Sequence, residues 1–183
     1  MPCDDAVRAA ADVLSAGTKT VILAGQGALG ARAELEQLAD LMAAPIVKPL
    51  LGKGTVPDDS PFTTGGIGLL GTEPSVEAME QADTLLMAGT SFPYMEFYPK
   101  HDRCRGVQID RDPSRIGLRV PLEVGLCGDA KVTRQVLAKQ ITRRKDRSFL
   151  DQAQAGMVQW RALLRTRSHG VPLGEARRGT RRA

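Results

Sequence analysis

Apolar residues recur along this chain in two alternating rhythms. From Asp4 to Ala16 they fall at Val7, Ala10, Ala11 and Leu14, with two acids in the first turn and Gly17 as a stop. That spacing predicts an amphipathic helix covering one face of a sheet. Thr20 to Ala24 is then an unbroken aliphatic and β-branched run, the pattern of a buried strand, and it leads into Gly25-x-Gly27-x-x-Gly30. A second helical stretch, residues 31–43, repeats the first rhythm with Leu35, Leu38, Leu41 and Met42 on one side.

The alternation continues. Residues 45–51 read as a short buried strand whose prolines end it near Lys48. Residues 51–72 are rich in glycine, proline and threonine, and a connection of about 20 residues with that composition is more often functional than idle. A helix over residues 74–81, strands over residues 84–89, 106–110 and 122–127, and a helix over residues 130–141 capped by Asp129 complete the series. Strands alternating with helices, with glycines, hydroxyls and acids at the strand ends, predict the α/β fold class: a three-layer, doubly wound, mostly parallel, Rossmann-like sheet with its ligand crevice at the strands' carboxyl edge.

Length and composition narrow the classes. The chain of 183 residues is the size of one domain, read here as residues 1–145, followed by a linker helix and a basic tail over residues 146–183. Cys3, Cys104 and Cys127 are odd in number and far apart, so they outline neither a disulfide framework nor a zinc site, and a reducing cytoplasm is the expected home. No apolar run approaches the ~18 residues of a membrane span, and the acidic N-terminus is unlike a signal peptide. The net charge of +4 is uneven: residues 143–183 carry a net +8 and the rest a net −4. The positive end, Arg177-Arg178-Gly179-Thr180-Arg181-Arg182, has no aromatics among its charges, so a solvated, disordered tail is expected and not a nucleic-acid interface.

The glycine turn is the first candidate for chemistry. Strand, glycine turn and helix in that order let Gly25 and Gly27 bring backbone close to a phosphate at a helix N-terminus; a packing-only turn is the alternative. An NAD domain of the usual kind carries an acid at the end of the next strand to hold the ribose hydroxyls. Lys48 stands there instead, which counts against NAD and leaves NADP open. Glycines 65, 66, 68 and 71 would let a further stretch of backbone run close to a flat or phosphorylated ligand.

Six segments occur in an order that resembles a known family: Gly25-Gln-Gly27, Gly52-Lys-Gly54, Thr64-Gly-Gly-Ile-Gly-Leu-Leu-Gly-Thr72, Ala82-Asp-Thr-Leu-Leu-Met-Ala-Gly-Thr-Ser-Phe-Pro-Tyr94, Val107-Gln-Ile-Asp-Arg-Asp-Pro-Ser-Arg-Ile-Gly117 and Leu126-Cys-Gly-Asp129. Together they resemble the central domain of thiamine-diphosphate-dependent enzymes, nearest to pyruvate oxidase and quinone-dependent pyruvate dehydrogenase, with acetolactate synthase more distant. The resemblance covers residues 4–145.

It implies a parent enzyme of three α/β domains, homo-oligomeric, in which the other two bind thiamine diphosphate and magnesium. The middle one, a DHS-like NAD/FAD-binding domain, carries FAD in the oxidases. Carried onto matching positions, the FAD contacts are expected from Gly68, Leu69, Leu70 and Gly71, from Ser91, Phe92, Pro93, Tyr94 and Met95, and from Asp110. Met95 departs from the related oxidases, which carry a basic residue there. In such a parent the thiamine ylide attacks a 2-oxo acid such as pyruvate, and the electrons left after decarboxylation pass to FAD and on to a quinone or oxygen.

The catalytic parts are not expected in this chain. Gly128-Asp129-Ala130 resembles the opening of the family's metal motif, but no asparagine follows at the required spacing, and a helix cap explains Asp129 better. His101 and His169 are isolated. Two other classes stay open: a flavin-free structural spacer, as in the decarboxylase branch, and an NADP-binding module.

Overall fold

The computed structural model describes residues 2–170, with side chains placed through residue 167. Six strands, β1 Thr20–Ala24, β2 Ile46–Pro49, β3 Thr63–Ile67, β4 Thr84–Ala88, β5 Arg105–Asp110 and β6 Val124–Cys127, form one sheet in the order β3-β2-β1-β4-β5-β6. Every pairing is parallel, with Ile22 opposite both Ile46 and Leu86. The α-helices among the described residues are α1 Asp4–Ala16, α2 Arg32–Met42, α3 Glu73–Gln81, α4 Ala130–Ala138 and α5 Ser148–Gly170.

The two sheet faces are read off the period-2 alternation of the central strands. Ile22, Ala24, Leu86, Ala88, Val107, Ile109 and Leu126 point to the side covered by α1, α2 and α4. Val21, Leu23, Leu85 and Met87 point the other way, onto Ala78 and Met79 of α3 and Phe149 of α5. β1 and β4 are buried along their whole length, which is why their sequences are continuous apolar runs. The result is the expected three-layer arrangement. None of the helices among the described residues is long and apolar enough to cross a membrane.

One strand lies inside the stretch expected to be an unstructured connection. β3, Thr-Thr-Gly-Gly-Ile, is an edge strand with β2 as its only neighbour, and its ladder shifts register between Ile46 and Val47. Two glycines and no alternation hide it from a sequence reading. Polar side chains hold it: the Thr63 hydroxyl donates to the Ile46 carbonyl at 3.1 Å, and the Thr72 hydroxyl donates to that of Thr64 at 2.5 Å.

The second face is covered in an unusual way. No α-helix joins β4 to β5 or β5 to β6, only short 3-10 turns at Met95–Phe97 and Pro113–Arg115. Phe92, Phe97, Tyr98, Val120 and Leu122 from these irregular segments pack on the sheet where crossover helices would otherwise lie. Two long, well-anchored loops therefore rise from the carboxyl ends of β4 and β5.

The segment after α4 straps across the ends of α1 and α2. Arg143 and Arg147 both reach Asp40, the Arg144 N–H donates to the Leu41 carbonyl, and the Arg144 guanidinium reaches the Leu14 carbonyl. The first half of α5 is docked to the body through Phe149, Leu150, Ala153 and Met157, all buried, with the Gln154 amide on the Pro61 carbonyl. The arginine-rich stretch expected to form a tail, Arg177 to Arg182, lies outside the described residues.

Candidate site at the carboxyl edge of the sheet

The strand order reverses between β1 and β4, and in open parallel sheets ligands lie outside the strand ends at such a switch point. Here the switch point is tightly sealed by backbone. The Gly25 N–H donates to the Ala88 carbonyl at 3.0 Å, that of Gly27 to the Gly89 carbonyl at 2.9 Å, and that of Gly89 to the Ile109 carbonyl at 2.8 Å. Gly89 has φ +59°, and a Cβ on Gly25 would lie 2.4 Å from the Thr90 Cβ.

This changes the expected role of the glycine turn. A phosphate seat needs free N–H groups leading directly into a helix. Both N–H groups are already bonded to carbonyls, and a 3-10 turn, Gln26–Ala28, and Gly30 at φ +76° intervene before α2 begins at Arg32. Gly25 and Gly27 thus provide close backbone approach between β1 and β4, and their N–H groups are not phosphate donors.

Lys48 also differs from its expected role. It is 2% exposed, and its ammonium donates to the Val56 carbonyl at 3.0 Å and to Asp58 Oδ1 at 2.7 Å. Its hydrogen bond and charge hold the Asp58 carboxyl below its usual range, ahead of the opposing effect of burial. The lysine ties the loop after β2 to the sheet and does not present its charge to a 2′-phosphate. Above it, an open hollow of about 480 Å³ is lined by Gly30, Arg32 and residues 53–58.

The other candidate residues fall on the loops after β3, β4 and β5. After β3, the Gly71 N–H closes a turn on the Gly68 carbonyl at 2.8 Å, leaving Leu69 77% and Leu70 93% exposed. Gly68 has φ +115°, a conformation reserved for glycine. Its bare Cα faces the loop after β4: a Cβ there would sit 3.5 Å from Phe92 and 3.9 Å from Tyr94. β3 and β4 are separated in the sheet by β2 and β1, so the β4 loop reaches back across the sheet edge to meet the glycine turn.

That loop is stiffened by aromatic packing. Phe92 contacts Tyr94 edge-on, with centroids 5.4 Å apart, and also packs on Phe97 and Tyr98. The buried Tyr98 hydroxyl donates to the Phe92 carbonyl at 2.9 Å, and burial pushes its pKa up to about 12, so it stays a donor. Pro93, Tyr94 and Met95 remain exposed on the outer surface. The Ser91 hydroxyl has no partner among the described residues, while its carbonyl accepts from Arg119 Nε at 3.3 Å.

Asp110 ends β5 and is 8% exposed. Its Oδ1 accepts the Asp112 N–H at 3.0 Å, and its second oxygen has no partner among the described residues, which suits a ligand hydroxyl or amine donor. Asp129 caps α4, Oδ1 accepting the Lys131 and Val132 N–H groups at 2.9 and 3.1 Å. Among the described residues no three His, Cys, Asp or Glu side chains gather into a metal-binding group.

Two participants escape a sequence reading. The Gln108 amide, 2% exposed, donates to the Thr90 and Arg115 carbonyls at 3.3 and 2.9 Å and accepts the Gly117 N–H at 3.0 Å. It fastens the β4 and β5 loops together. The second feature is a row of exposed apolar side chains on the loops after each of β1 to β5, in which Leu29, Leu50, Leu51 and Leu118, not expected from the sequence, join the expected Leu69, Leu70, Tyr94 and Met95. With strands about 4.8 Å apart, the row runs roughly 19 Å along one edge.

Comparison with known proteins identifies the family. Residues 7–139 match the family described as the central domain of thiamine pyrophosphate enzymes. YdaP of Bacillus subtilis, named provisionally as a thiamine pyrophosphate-containing protein, is 43% identical over 150 residues, covering 82% of this chain and 26% of YdaP. The pyruvate oxidase of Lactiplantibacillus plantarum is 30% identical over 164 residues, covering 89% of this chain and 27% of the oxidase. A protein of Methanococcus aeolicus named as a probable acetolactate synthase large subunit is 30% identical over 148 residues, covering 74% and 23%. The chain thus spans about a quarter of the length of these relatives. On its sequence match and its parallel six-stranded sheet, the chain belongs to the thiamine pyrophosphate enzyme central-domain family.

Proposed function

We propose that this domain binds the FAD nucleotide in a thiamine-diphosphate-dependent 2-oxo acid oxidase or dehydrogenase of the pyruvate oxidase kind, and that it has no catalytic residue of its own. One observation carries the reading: Gly68–Gly71, Ser91–Met95 and Asp110, distant in sequence, share one sheet edge, and Gly68 faces Phe92 and Tyr94 directly. The Gly68 backbone packs on Phe92 and Tyr94 and so holds the two loops together, and the free oxygen of Asp110 suits a ribose or adenine donor.

When bound, FAD would supply the two-electron acceptor of the parent. This chain's residues would hold and orient it. The aromatic loop keeps the β4 exit rigid, and the Leu69–Leu70 turn shields one side from water. The remainder of the apolar row suits contact with the coenzyme-binding domains of the parent, in keeping with the small share of each relative that this chain covers. The 2-oxo acid is expected to be pyruvate, by similarity to the pyruvate oxidase.

A second reading, a flavin-free spacer as in other branches of the family, is favoured by the sealed switch point, where the N–H groups of Gly25 and Gly27 are not available to a phosphate. Thermal unfolding with saturating FAD, NADP or NAD separates the readings. A ligand at a hundred times its Kd adds about 2.7 kcal/mol. A rise in Tm with FAD alone supports the flavin reading, a rise with NADP alone supports the NADP module, and no shift with any of them supports the spacer.

A further inference from the structure

The flavin reading leaves the open hollow above Lys48 without a role. Its lining comes from two loops, Gly30 and Arg32 after β1 and residues 53–58 after β2, and none of the residues assigned to the flavin contributes to it. At about 480 Å³ it has the volume of a small-molecule site, for which ~300–1,000 Å³ is usual.

The charges around it are unbalanced. Lys48 at the base is 2% exposed and is neutralised by Asp58 at 2.7 Å. Arg32 shares Glu36, 3.2 Å away, with the Ser60 hydroxyl, which donates to the same carboxylate at 2.8 Å. Lys53 lines the hollow, is exposed, and has no carboxylate within ion-pair distance among the described residues. From α5 the Arg161 guanidinium reaches the Asp58 carbonyl, again with no carboxylate partner among the described residues. The Lys48 hydrogen bond, with Lys53 and Arg161 adding through charge, holds the Asp58 carboxyl below its usual range against the effect of burial. Arg32, Lys48, Lys53 and Arg161 thus stand against two carboxylates, Glu36 and Asp58; Asp59, the next acid along the loop, is not in the lining. Ammonium and guanidinium groups left with spare donors in a cavity make charge-assisted hydrogen bonds to phosphate oxygens.

We propose that this hollow binds a small phosphorylated molecule, its phosphate held between the Lys53 ammonium and the Arg32 guanidinium, with Asp58 as the internal carboxylate that opposes the ligand. The Lys48–Asp58 pair stays in place and fixes the loop that carries Lys53. The site stands whether or not the loops after β3, β4 and β5 take FAD.

Calorimetric titration of the full chain with pyrophosphate in metal-free buffer, with potassium chloride at matched ionic strength as the control, tests the site. Wild type is expected to bind pyrophosphate saturably. Lys53→Gln raises that Kd about tenfold and leaves the ligand-free Tm at the wild-type value, because it removes an exposed charge with no ion-pair partner. Asp58→Asn lowers the Kd about three- to tenfold, because it removes the opposing charge. FAD that binds without changing pyrophosphate affinity supports a separate site. Heat matched by chloride alone, or an unchanged Kd in Lys53→Gln, overturns the site. Weaker binding in Asp58→Asn also overturns it, since that marks Asp58 as a support of the ligand's loop. Competition between FAD and pyrophosphate overturns it as well and assigns the hollow to the flavin.

Discussion

A methyl group on Gly89 would lie 2.5 Å from the carbonyl carbon of Gly27, backbone against backbone. This contact joins the exits of β1 and β4, and neither backbone can give way without moving the turn. Gly89 also has φ +59°, which an L side chain adopts only at a cost. Gly89→Ala is therefore expected to lower stability by about 2 kcal/mol or more, combining backbone strain with displacement of the Gly25–Gly27 turn. Urea unfolding checks it; a loss below about 0.5 kcal/mol would mean that the turn can move aside.

Arg134 on α4 presents the opposite situation, a buried group with nothing to bond. It is fully buried, and none of its three guanidinium nitrogens has a hydrogen-bond partner among the described residues. Burial pulls its pKa down to about 10, with Glu34 and Asp129 opposing at longer range, so it remains charged at neutral pH. Replacing an uncompensated buried charge by an apolar side chain of similar length often stabilises. Arg134→Met is expected to gain about 1–3 kcal/mol in chemical denaturation. A loss would reveal that solution supplies the guanidinium with a partner.

Acid sensitivity is expected at the opposite edge of the sheet. Asp83 accepts the Thr18 and Lys19 N–H groups, both at 2.9 Å, and the Thr18 hydroxyl at 2.5 Å. Burial pushes its pKa up, but these hydrogen bonds outweigh it and hold the carboxyl below its usual value of 3.8. A carboxylate with a depressed folded-state pKa contributes stability above the unfolded value, and that contribution is lost as pH falls through the folded one. Stability should therefore decline from about pH 4 downward. Asp83→Asn should flatten that decline and cost about 1–2 kcal/mol at neutral pH, allowing for partial exposure. An Asp83→Asn profile that falls as steeply as wild type would remove Asp83 from the acid response.

Asp110 gives a direct probe of ligand recognition. Its second carboxylate oxygen is free of protein partners among the described residues, while Oδ1 is held by the Asp112 N–H. Asp110→Asn keeps the shape and an acceptor oxygen but removes the charge, and it should weaken FAD about five- to twentyfold by titration. Equal affinity would place the nucleotide elsewhere.

The sequence made the core of this fold legible. α1, β1 and β4 could be placed nearly to the residue because their apolar patterns are set by burial on one face or on both. β3 was hidden because an edge strand with two glycines has no such pattern. Lys48 looked like a ligand contact because its partner, Asp58, lies on a loop whose path back to the strand no local pattern encodes. The pairing of Arg119 with Ser91 joins two loops 28 residues apart, and only the missing β4–β5 and β5–β6 helices allow it. Local rhythm specifies elements; the contacts between their carboxyl-end loops depend on how the sheet brings those ends together.

Backbone amide chemical-shift mapping of the isotope-labelled chain during FAD titration tests the proposed site most directly. The expected result is saturable shifts confined to residues 68–71, 91–95 and 110, with those of the amino edge around Thr18 and Asp83 unmoved. Shifts gathered elsewhere, or none at saturating FAD, would contradict a flavin seat on this sheet edge.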